Sequence, residues 1–158
     1  MRKFYFLLIL VIFIFLGKTF LGTTEKEMNI LELDQDEKTG LVYIKDSKKI
    51  FTGVGKTYYE SGKIRTEKKF IDGKLDGSSK GYYENGKKTS VSNYKNGKLE
   101  GEKLSYYKNG SLYIEANYSN DELDGDIKVY KKNGDLDYIA PCELLTTNTL
   151  RVLESRAS

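Results

Sequence analysis

The 158-residue chain contains no histidine, no tryptophan, one proline and one cysteine. Without histidine the chain cannot build a Ser-His-Asp or Cys-His nucleophile, and it lacks the commonest protein metal ligand. The single cysteine, Cys142, excludes an intramolecular disulfide. Its position directly after Pro141 favours a buried thiol over one that pairs between exported chains. We therefore expect a protein that is not an enzyme and that needs no cofactor.

The chain also lacks an excess of one charge outside its N-terminus. Its formal net charge is +3, from 26 basic and 23 acidic residues, but Arg2, Lys3 and Lys18 all precede the first acid, Glu25. Setting those three aside leaves 23 of the 26 basic residues against 23 acidic ones. A neutral body has no broad basic surface for phosphates, so the sequence predicts no nucleic-acid partner.

One long apolar run is present, at residues 4–16, directly after Arg2 and Lys3. It is shorter than the about 20 residues of a transmembrane helix and falls within the roughly 7–15 residues of a signal-peptide core. We expect an apolar leader helix in residues 1–22, as either a signal peptide or an N-terminal membrane anchor. Both interpretations place the body outside the cytoplasm: periplasmic, on the outer surface or secreted, or else anchored in the membrane.

Residues 23–39, which follow the leader, are polar with sparse apolar positions. High polarity without periodicity is typical of a linker between the leader and a folded domain. Ile30, Leu31 and Leu33 are the exceptions, and they are candidates to cap the end of that domain. At the other end of the chain, residues 143–158 share no phrase with the rest and are expected to form a short tail.

The body of the chain repeats itself every 24 residues. A phrase built on Tyr-Tyr and Asn-Gly or Ser-Gly stands at 58–63, 82–87 and 106–111, and in weakened form at 130–135. A second phrase, built on Asp-Gly, Asn-Gly or Asn-Asp, stands at 72–77, 96–101 and 120–125. Such dipeptides are hairpin-turn signals, and a fixed period is the signature of a repeat protein. The sequence therefore predicts an all-β fold, an elongated antiparallel meander of tandem β-hairpins, with units at 53–76, 77–100, 101–124 and 125–142 and a degenerate cap at 40–52.

Two-residue turns define the expected register of each hairpin. A turn at Ser61-Gly62 sets three pairs: Tyr59 with Ile64, Tyr58 with Arg65, and Lys56 with Glu67. A turn at Asp72-Gly73 pairs Phe70 with Leu75. One face of the sheet, the core face, then collects Tyr59, Ile64, Phe70, Leu75, Tyr83, Tyr94, Leu99, Tyr107, Leu112, Ile114, Tyr118, Leu123, Ile127, Val129, Leu136 and Tyr138.

We expect the sheet to curl around its core face, because a flat single sheet cannot bury one whole side. One glycine per unit recurs at a fixed position: Gly53, Gly77, Gly101 and Gly125. No helix is expected after any of them, so a phosphate-binding loop is disfavoured. We interpret these glycines as sites of a bend or bulge in the strands.

The opposite face carries a row of tyrosines, which we call the tyrosine row. Its members are Tyr58, Tyr82, Tyr106 and Tyr130. The charged residues around them are Lys56, Arg65, Glu67, Lys80, Glu115 and Lys128. Because the tyrosines fall on every second strand, they recur at roughly 10 Å and suit contacts with a partner. The alternative is that they only cover the sheet and pack on lysine stems.

Acidic residues gather in or beside the second turns, at Asp72, Asp76, Glu100, Asp121, Glu122, Asp124 and Asp126. A line of oxygen ligands raises the alternative of a weak calcium site. However, the spacing differs from that of an EF-hand loop, lysines intervene, and aspartate is favoured in turns for backbone reasons. We interpret these residues as turn-forming and expect no metal site.

The repeated phrases resemble the MORN-repeat variant family, whose units read Gly-x-x-x-x-Tyr-Tyr-x-Asn-Gly-Lys, then a strand, then Asn-Gly-Lys-Leu-(Asp/Glu)-Gly. Full units match from Gly77 to Gly101 and from Gly101 to Gly125. The unit from Gly53 matches nearly as well and the one from Gly125 only in part, so the resemblance spans about 53–140. The absence of tryptophan departs from the original MORN pattern.

The resemblance implies a hairpin module without catalytic residues that serves as a scaffold and contacts proteins or membranes. Many bacterial members are antitoxin-like, and others lie behind signal sequences at the cell envelope. We expect a non-enzymatic envelope module with a protein-binding, scaffold or adhesion role. Its expected partner is an unidentified protein or cell-surface structure, or the membrane through an uncleaved leader, and no small-molecule substrate. The alternative, an antitoxin-like neutraliser, is opposed by the leader because an intracellular toxin would be out of reach.

Overall fold

The computed structural model describes residues 25–141. The predicted leader helix in 1–22, the thiol of Cys142 and the tail at 143–158 lie outside the described residues, and those predictions stay open. No helix between residues 25 and 141 has the length and apolar character needed to cross a membrane. The one helical turn in this part of the chain is a 3-10 helix at Ile30–Glu32.

The fold is a ten-stranded sheet with a small two-stranded sheet beside it. The strands are β1 (Glu27–Asn29), β2 (Leu33–Gln35), β3 (Val42–Ile44), β4 (Gly53–Tyr58), β5 (Ile64–Ile71), β6 (Lys74–Tyr82), β7 (Lys88–Lys95), β8 (Lys98–Tyr106), β9 (Leu112–Ser119), β10 (Glu122–Leu123), β11 (Ile127–Tyr130) and β12 (Leu136–Ala140). The large sheet runs β1-β4-β5-β6-β7-β8-β9-β11-β12, with β10 also paired to β9, and β2 pairs with β3. All pairs are antiparallel except the parallel pair of β1 and β4, so the predicted antiparallel meander is confirmed.

The second turns of the first three units have the predicted two-residue geometry. Asp72 and Gly73 have φ of 47° and 75°, and Asn96 and Gly97 have φ of 51° and 88°. A type I′ turn requires positive φ at both central residues, which Asp, Asn and Gly tolerate best. The predicted pairing of Phe70 with Leu75 across the turn is confirmed.

The first turn of each unit differs from the prediction. The Tyr59 carbonyl accepts from the Gly62 amide at 2.9 Å, and the Tyr59 amide donates to the Lys63 carbonyl at 2.8 Å. This closes a three-residue loop in which Gly62, with φ of 79°, is the left-handed residue and Ser61 is not. The pairing of Lys56 with Glu67 holds, but the other two predicted pairs are wrong, because Tyr58 pairs with Ile64 and Arg65 is displaced.

The displacement recurs in every unit as a β-bulge next to the first turn. The register shifts beside Tyr58, Tyr82, Tyr106 and Tyr130, two residues before each loop. In the third unit the extra residue is Tyr113, which is only 4% exposed. Its ring centre lies 4.6 Å from that of Tyr107. Strict alternation along β9 would have placed Tyr113 on the outer face, so the bulge adds a core residue that the sequence did not predict.

The recurring glycine marks a second irregularity, as predicted. Lys68 pairs with Ser79 and Phe70 with Leu75, so β6 carries extra residues opposite Lys69. Gly77 lies within them with φ of 108°, and a Cβ there would come within 2.8 Å of the Lys69 side chain. Glycine is therefore favoured at this bulge by its positive φ, whereas the flexible Lys69 side chain could move away from a Cβ.

The buried side chains form two clusters at the two ends of the array. The N-terminal core contains Leu33, Phe51 and Phe70, with Met28, Ile30, Val42, Ile44 and Leu75 packed against them. The C-terminal core contains Tyr107, Tyr113, Ile114, Ala116, Ile127 and Val129. Between them the second unit buries a polar residue, Ser92. Phe70, Tyr107, Ile114, Ile127 and Val129 were predicted for the core face and are buried.

Two predicted core residues, Leu136 and Tyr138, are exposed instead. Leu136 pairs with Tyr130 across the bulge, so it lies on the face of the tyrosine row and its assignment to the core face was wrong. Tyr138 pairs with Val129 on the core face, but β12 is the last strand of the sheet within the described residues and no further strand there covers it. Alternation along a strand shows which residues share a face, but not where along the sheet that face is covered.

The described part of the predicted linker, residues 25–39, does not separate from the sheet. Its strand β1 pairs with β4, and Leu33 is buried in the N-terminal core. Ile30 packs against that core as well, whereas Leu31 is 75% exposed and caps nothing. The predicted cap at 40–52 contributes β3, but β3 pairs with β2 instead of extending the main sheet. Phe51, from the same segment, is completely buried.

Candidate functional site

The tyrosine row lies on one face of the sheet, as its register shows. Lys56, Glu67 and Lys80 are successive cross-strand partners, and Leu104, Glu115 and Lys128 continue the same line. Directly opposed residues point to the same face, and so do residues two apart along a strand. The row members lie two residues beyond this line, at the ends of β4, β6, β8 and β11: Tyr58, Tyr82, Tyr106 and Tyr130.

Two members of the row are fixed by carboxylates of the preceding strand. The Tyr82 hydroxyl donates to Glu67 Oε2 at 2.8 Å, and the Tyr130 hydroxyl donates to Glu115 Oε2 at 2.9 Å. Burial, together with the bond to Glu67, raises the pKa of Tyr82 to about 12. The bond to Glu115 is the main cause of the raised pKa of Tyr130. Both hydroxyls therefore stay protonated and oriented at any physiological pH.

The other two members are held differently. Tyr106 is half-buried, and burial raises its pKa. The position equivalent to Glu67 and Glu115 is Val91 in this unit, which cannot accept a hydrogen bond. Tyr58 is the most open of the four, with 45% of its surface exposed. The row thus combines two tyrosines whose hydroxyls are held by carboxylates with two that are not. Each presents a large apolar ring with a polar hydroxyl at its edge.

Charged pairs surround the row. Lys56 Nζ lies 2.7 Å from a Glu27 carboxylate oxygen and 3.6 Å from Glu67. Lys128 Nζ contacts Glu115, and this contact is the first cause of the lowered pKa of that carboxyl. Four of the predicted charged residues, Lys56, Glu67, Glu115 and Lys128, therefore form cross-strand ion pairs. Arg65 does not join them, because its guanidinium lies over the ring of Tyr59, 5.7 Å from the ring centre.

A second set of tyrosines positions the row. The sequence analysis assigned this second set to the core face and predicted no positioning role for it. The Tyr59 hydroxyl donates to the Tyr82 carbonyl at 2.6 Å. The equivalent bonds join Tyr83 to the Tyr106 carbonyl and Tyr107 to the Tyr130 carbonyl, both at 2.8 Å. Each unit thereby holds the backbone of the next row member. The signal for this role was the doubled tyrosine, which repeats at the same 24-residue spacing.

The acidic residues of the second turns hold neighbouring units together. Asp76 accepts hydrogen bonds from the backbone amide of Asn96 and from Lys95 Nζ, both at 3.1 Å. These bonds lower the pKa of Asp76, and the bond from the Asn96 amide has the larger effect. Glu100 accepts the Asn120 amide at 2.9 Å. Within residues 25–141 no three acidic or cysteine side chains are grouped so as to hold a metal ion. The geometry supports the turn-forming interpretation, extended from one turn to the next.

Comparison with protein families supports the repeat assignment. Residues 51–72, 75–96 and 99–120 match the family model of the MORN repeat variant. The comparison with curated proteins gave no match. Three tandem segments between residues 51 and 120 are therefore similar to MORN-variant repeats, which are generally non-catalytic modules that bind proteins or membranes. The β11–β12 hairpin lies beyond the matched segments but keeps the first-turn geometry, with the Gly134 amide donating to the Lys131 carbonyl at 2.9 Å.

Proposed function

We propose that the chain is a non-enzymatic scaffold of the cell envelope that binds a protein or another cell-surface structure through its tyrosine row. The observation that carries this proposal is the chain of hydroxyl-to-carbonyl bonds from Tyr59, Tyr83 and Tyr107, which fixes successive row members in one register. Three of the four row members, Tyr82, Tyr106 and Tyr130, are thereby held at equivalent positions on one face.

The geometry suits an extended partner. Neighbouring strands lie about 4.8 Å apart, so row members on every second strand are spaced by roughly 10 Å. Tyrosine provides a large contact area at a low entropic cost, and the paired charges around the row resemble the polar rim of an interface. Several modest contacts along the row would add up within a single binding event.

The location is part of the proposal and is supported by the sequence of the leader. Arg2 and Lys3 before the apolar run at 4–16 favour export or membrane anchoring. The antitoxin-like alternative requires the body to be in the cytoplasm. Cell fractionation of the native protein, combined with its intact mass, separates the two: loss of about 17–22 residues or a membrane-bound full-length chain supports the envelope. A soluble cytoplasmic chain that still begins at Met1 contradicts it.

Binding through the row is tested with a double variant, Tyr82→Ser with Tyr106→Ser. The matched control is Tyr138→Ser, which removes an exposed tyrosine that lies on the opposite face. We expect the double variant to lose attachment to cells or to a co-purified partner while the control binds normally, with both retaining cooperative melting. Unchanged attachment of a folded double variant would assign these tyrosines to the scaffold alone.

A further inference from the structure

An open cleft lies beside the N-terminal core, on the opposite face of the sheet from the tyrosine row. Its volume is about 550 Å³, and it lies between the β2–β3 sheet and the second turns of the first two units. Lys68 and Phe70 line it, and along β5 they alternate with Glu67, which shares the face of the row. A site here is therefore independent of the function proposed above.

The walls of the cleft are held by backbone hydrogen bonds. The Val42 amide donates to the Gly73 carbonyl, and the Gly73 amide donates to the Phe51 carbonyl, both at 2.8 Å. The loop that forms the rim is also ordered, because Asp36 Oδ1 accepts from the Thr39 amide at 2.7 Å and Gln35 Nε2 donates to the Gly40 carbonyl at 2.7 Å. The cleft is therefore preformed, as ligand sites usually are.

The lining divides into apolar and cationic parts. The apolar part comprises Ile30, Leu33, Val42, Phe70 and Leu75. The charged part has three lysines, Lys68, Lys74 and Lys98, against a single acid, Asp34. Lys68 and Lys74 form no ion pair within residues 25–141, and Lys98 Nζ lies 3.4 Å from the neutral amide oxygen of Asn120. The lining thus has an excess of two positive charges in a protein whose body is otherwise balanced.

We propose that this cleft binds a free, single-chain anionic amphiphile: an unbranched apolar chain that ends in a carboxylate. The apolar lining would cover the chain, and the lysines of the rim would receive the carboxylate. A peptide is a poorer fit because its backbone amides and carbonyls need hydrogen-bond partners, which the aliphatic and aromatic lining does not offer. The volume lies within the roughly 300–1,000 Å³ of small-molecule sites.

The test titrates the full chain, in detergent-free buffer, with sodium decanoate below its micellar concentration. Amide resonances of Gly40, Gly73 and Gly97, which line the cleft, report binding. Those of Gly110 and Gly134 lie at first turns and serve as internal controls. We expect shifts at the cleft glycines only. Octanoate should bind about tenfold more weakly, because each buried CH₂ contributes about 0.8 kcal/mol.

Charge complementarity is tested separately. The double variant Lys74→Gln with Lys98→Gln should weaken decanoate binding about five- to tenfold, as expected for the loss of two exposed ionic contacts. The matched control, Lys88→Gln with Lys108→Gln, removes the same charge from exposed positions outside the cleft and should bind normally. Decyltrimethylammonium, with the same chain and the opposite charge, should leave the cleft glycines unchanged.

Four results would overturn the proposal. Absence of shifts with decanoate would mean that the cleft does not take such a chain. Charge would play no part if decyltrimethylammonium shifted the cleft glycines as much as decanoate does. The same would follow if the Lys74/Lys98 variant and its Lys88/Lys108 control bound decanoate with equal affinity. Shifts of the cleft glycines with an acidic Glu-Leu-Glu-Leu-Glu peptide or with anionic phospholipid vesicles, but not with decanoate, would assign the cleft to a peptide or a bilayer.

Discussion

Removal of one hydroxyl, by Tyr107→Phe, tests how the repeats are joined. Tyr107 is buried, and its hydroxyl donates to the Tyr130 carbonyl of the next unit at 2.8 Å. Phenylalanine keeps the ring and its packing against Tyr113, 4.6 Å away between centres. The substitution therefore isolates the inter-repeat hydrogen bond from the hydrophobic contribution of the side chain.

The expected cost is about 1–2 kcal/mol in the free energy of unfolding, because a net hydrogen bond contributes about 0.5–1.5 kcal/mol and a carbonyl left unpaired in a buried place costs more. For a domain of this size that corresponds to a fall in Tm of roughly 4–8 °C. The equivalent changes Tyr59→Phe and Tyr83→Phe affect bonds about 10 Å apart. Their effects should add to that of Tyr107→Phe, for a total of roughly 3–6 kcal/mol in the triple variant.

The measurement is urea and thermal unfolding of the full chain followed by circular dichroism. Tyr138→Phe is the control, since Tyr138 is 42% exposed and the change should stay within about 0.5 kcal/mol. If Tyr107→Phe behaves like the control, the hydroxyl does not join the repeats and the reasoning on the positioning tyrosines is refuted.

Three further perturbations address the core, the turns and the ion pairs. Leu99→Asp, at a half-buried position that pairs with Tyr94, should cost at least about 2 kcal/mol in calorimetry, and wild-type melting would mean that the two faces are reversed. Gly86→Val should destabilise by about 1–3 kcal/mol from strain at φ of 84° alone, since nothing lies within 4 Å of a Cβ there, and equal melting temperatures would show that the loop relaxes. Glu115 has a folded-state pKa lowered from 4.5, chiefly by its bond to Lys128, so its stabilising contribution is present above pH 4.5 and is lost as pH falls through the folded-state pKa. Glu115→Gln should reduce the acid sensitivity of unfolding in that range, and an unchanged pH profile would show that the pair is not formed in solution.

The second turns were predictable because their residues carry the backbone requirement directly. Asp72-Gly73 and Asn96-Gly97 take positive φ at both positions, and this alone defines a two-residue hairpin. The first turns contain similar dipeptides, yet Ser61 does not take positive φ and only Gly62 does. An Asn-Gly or Ser-Gly signal is compatible with two-residue and three-residue loops, and the sequence offered no means to choose between them.

The error in loop length affects the face assignments only locally. The bulge beside the loop absorbs the extra residue, so the pair Lys56–Glu67 and the face of the tyrosine row came out as predicted. The residues at the bulge did not, because the shift breaks the alternation on which the prediction rested. Tyr113 joins the core, whereas Ile64, Leu112 and Leu136, which were predicted for the core face, pair with Tyr58, Tyr106 and Tyr130 of the row.

The N-terminal segment was less predictable than the repeats. Its strands β1, β2 and β3 have three residues each, which is too short for periodicity to show. Burial of Leu33 depends on Phe51 and Phe70, which are distant in sequence. The cleft follows from the same long-range packing, so no local motif could have indicated it.

The central proposal, binding through the tyrosine row, is tested most directly by photo-crosslinking in the native cell. A photoreactive phenylalanine at position 58 and one at position 138 form a matched pair, since Tyr58 and Tyr138 are 45% and 42% exposed and lie on opposite faces. We predict a discrete crosslinked product from position 58 and none from position 138. Equal products from both positions, or a product from position 138 alone, would contradict binding through the tyrosine row.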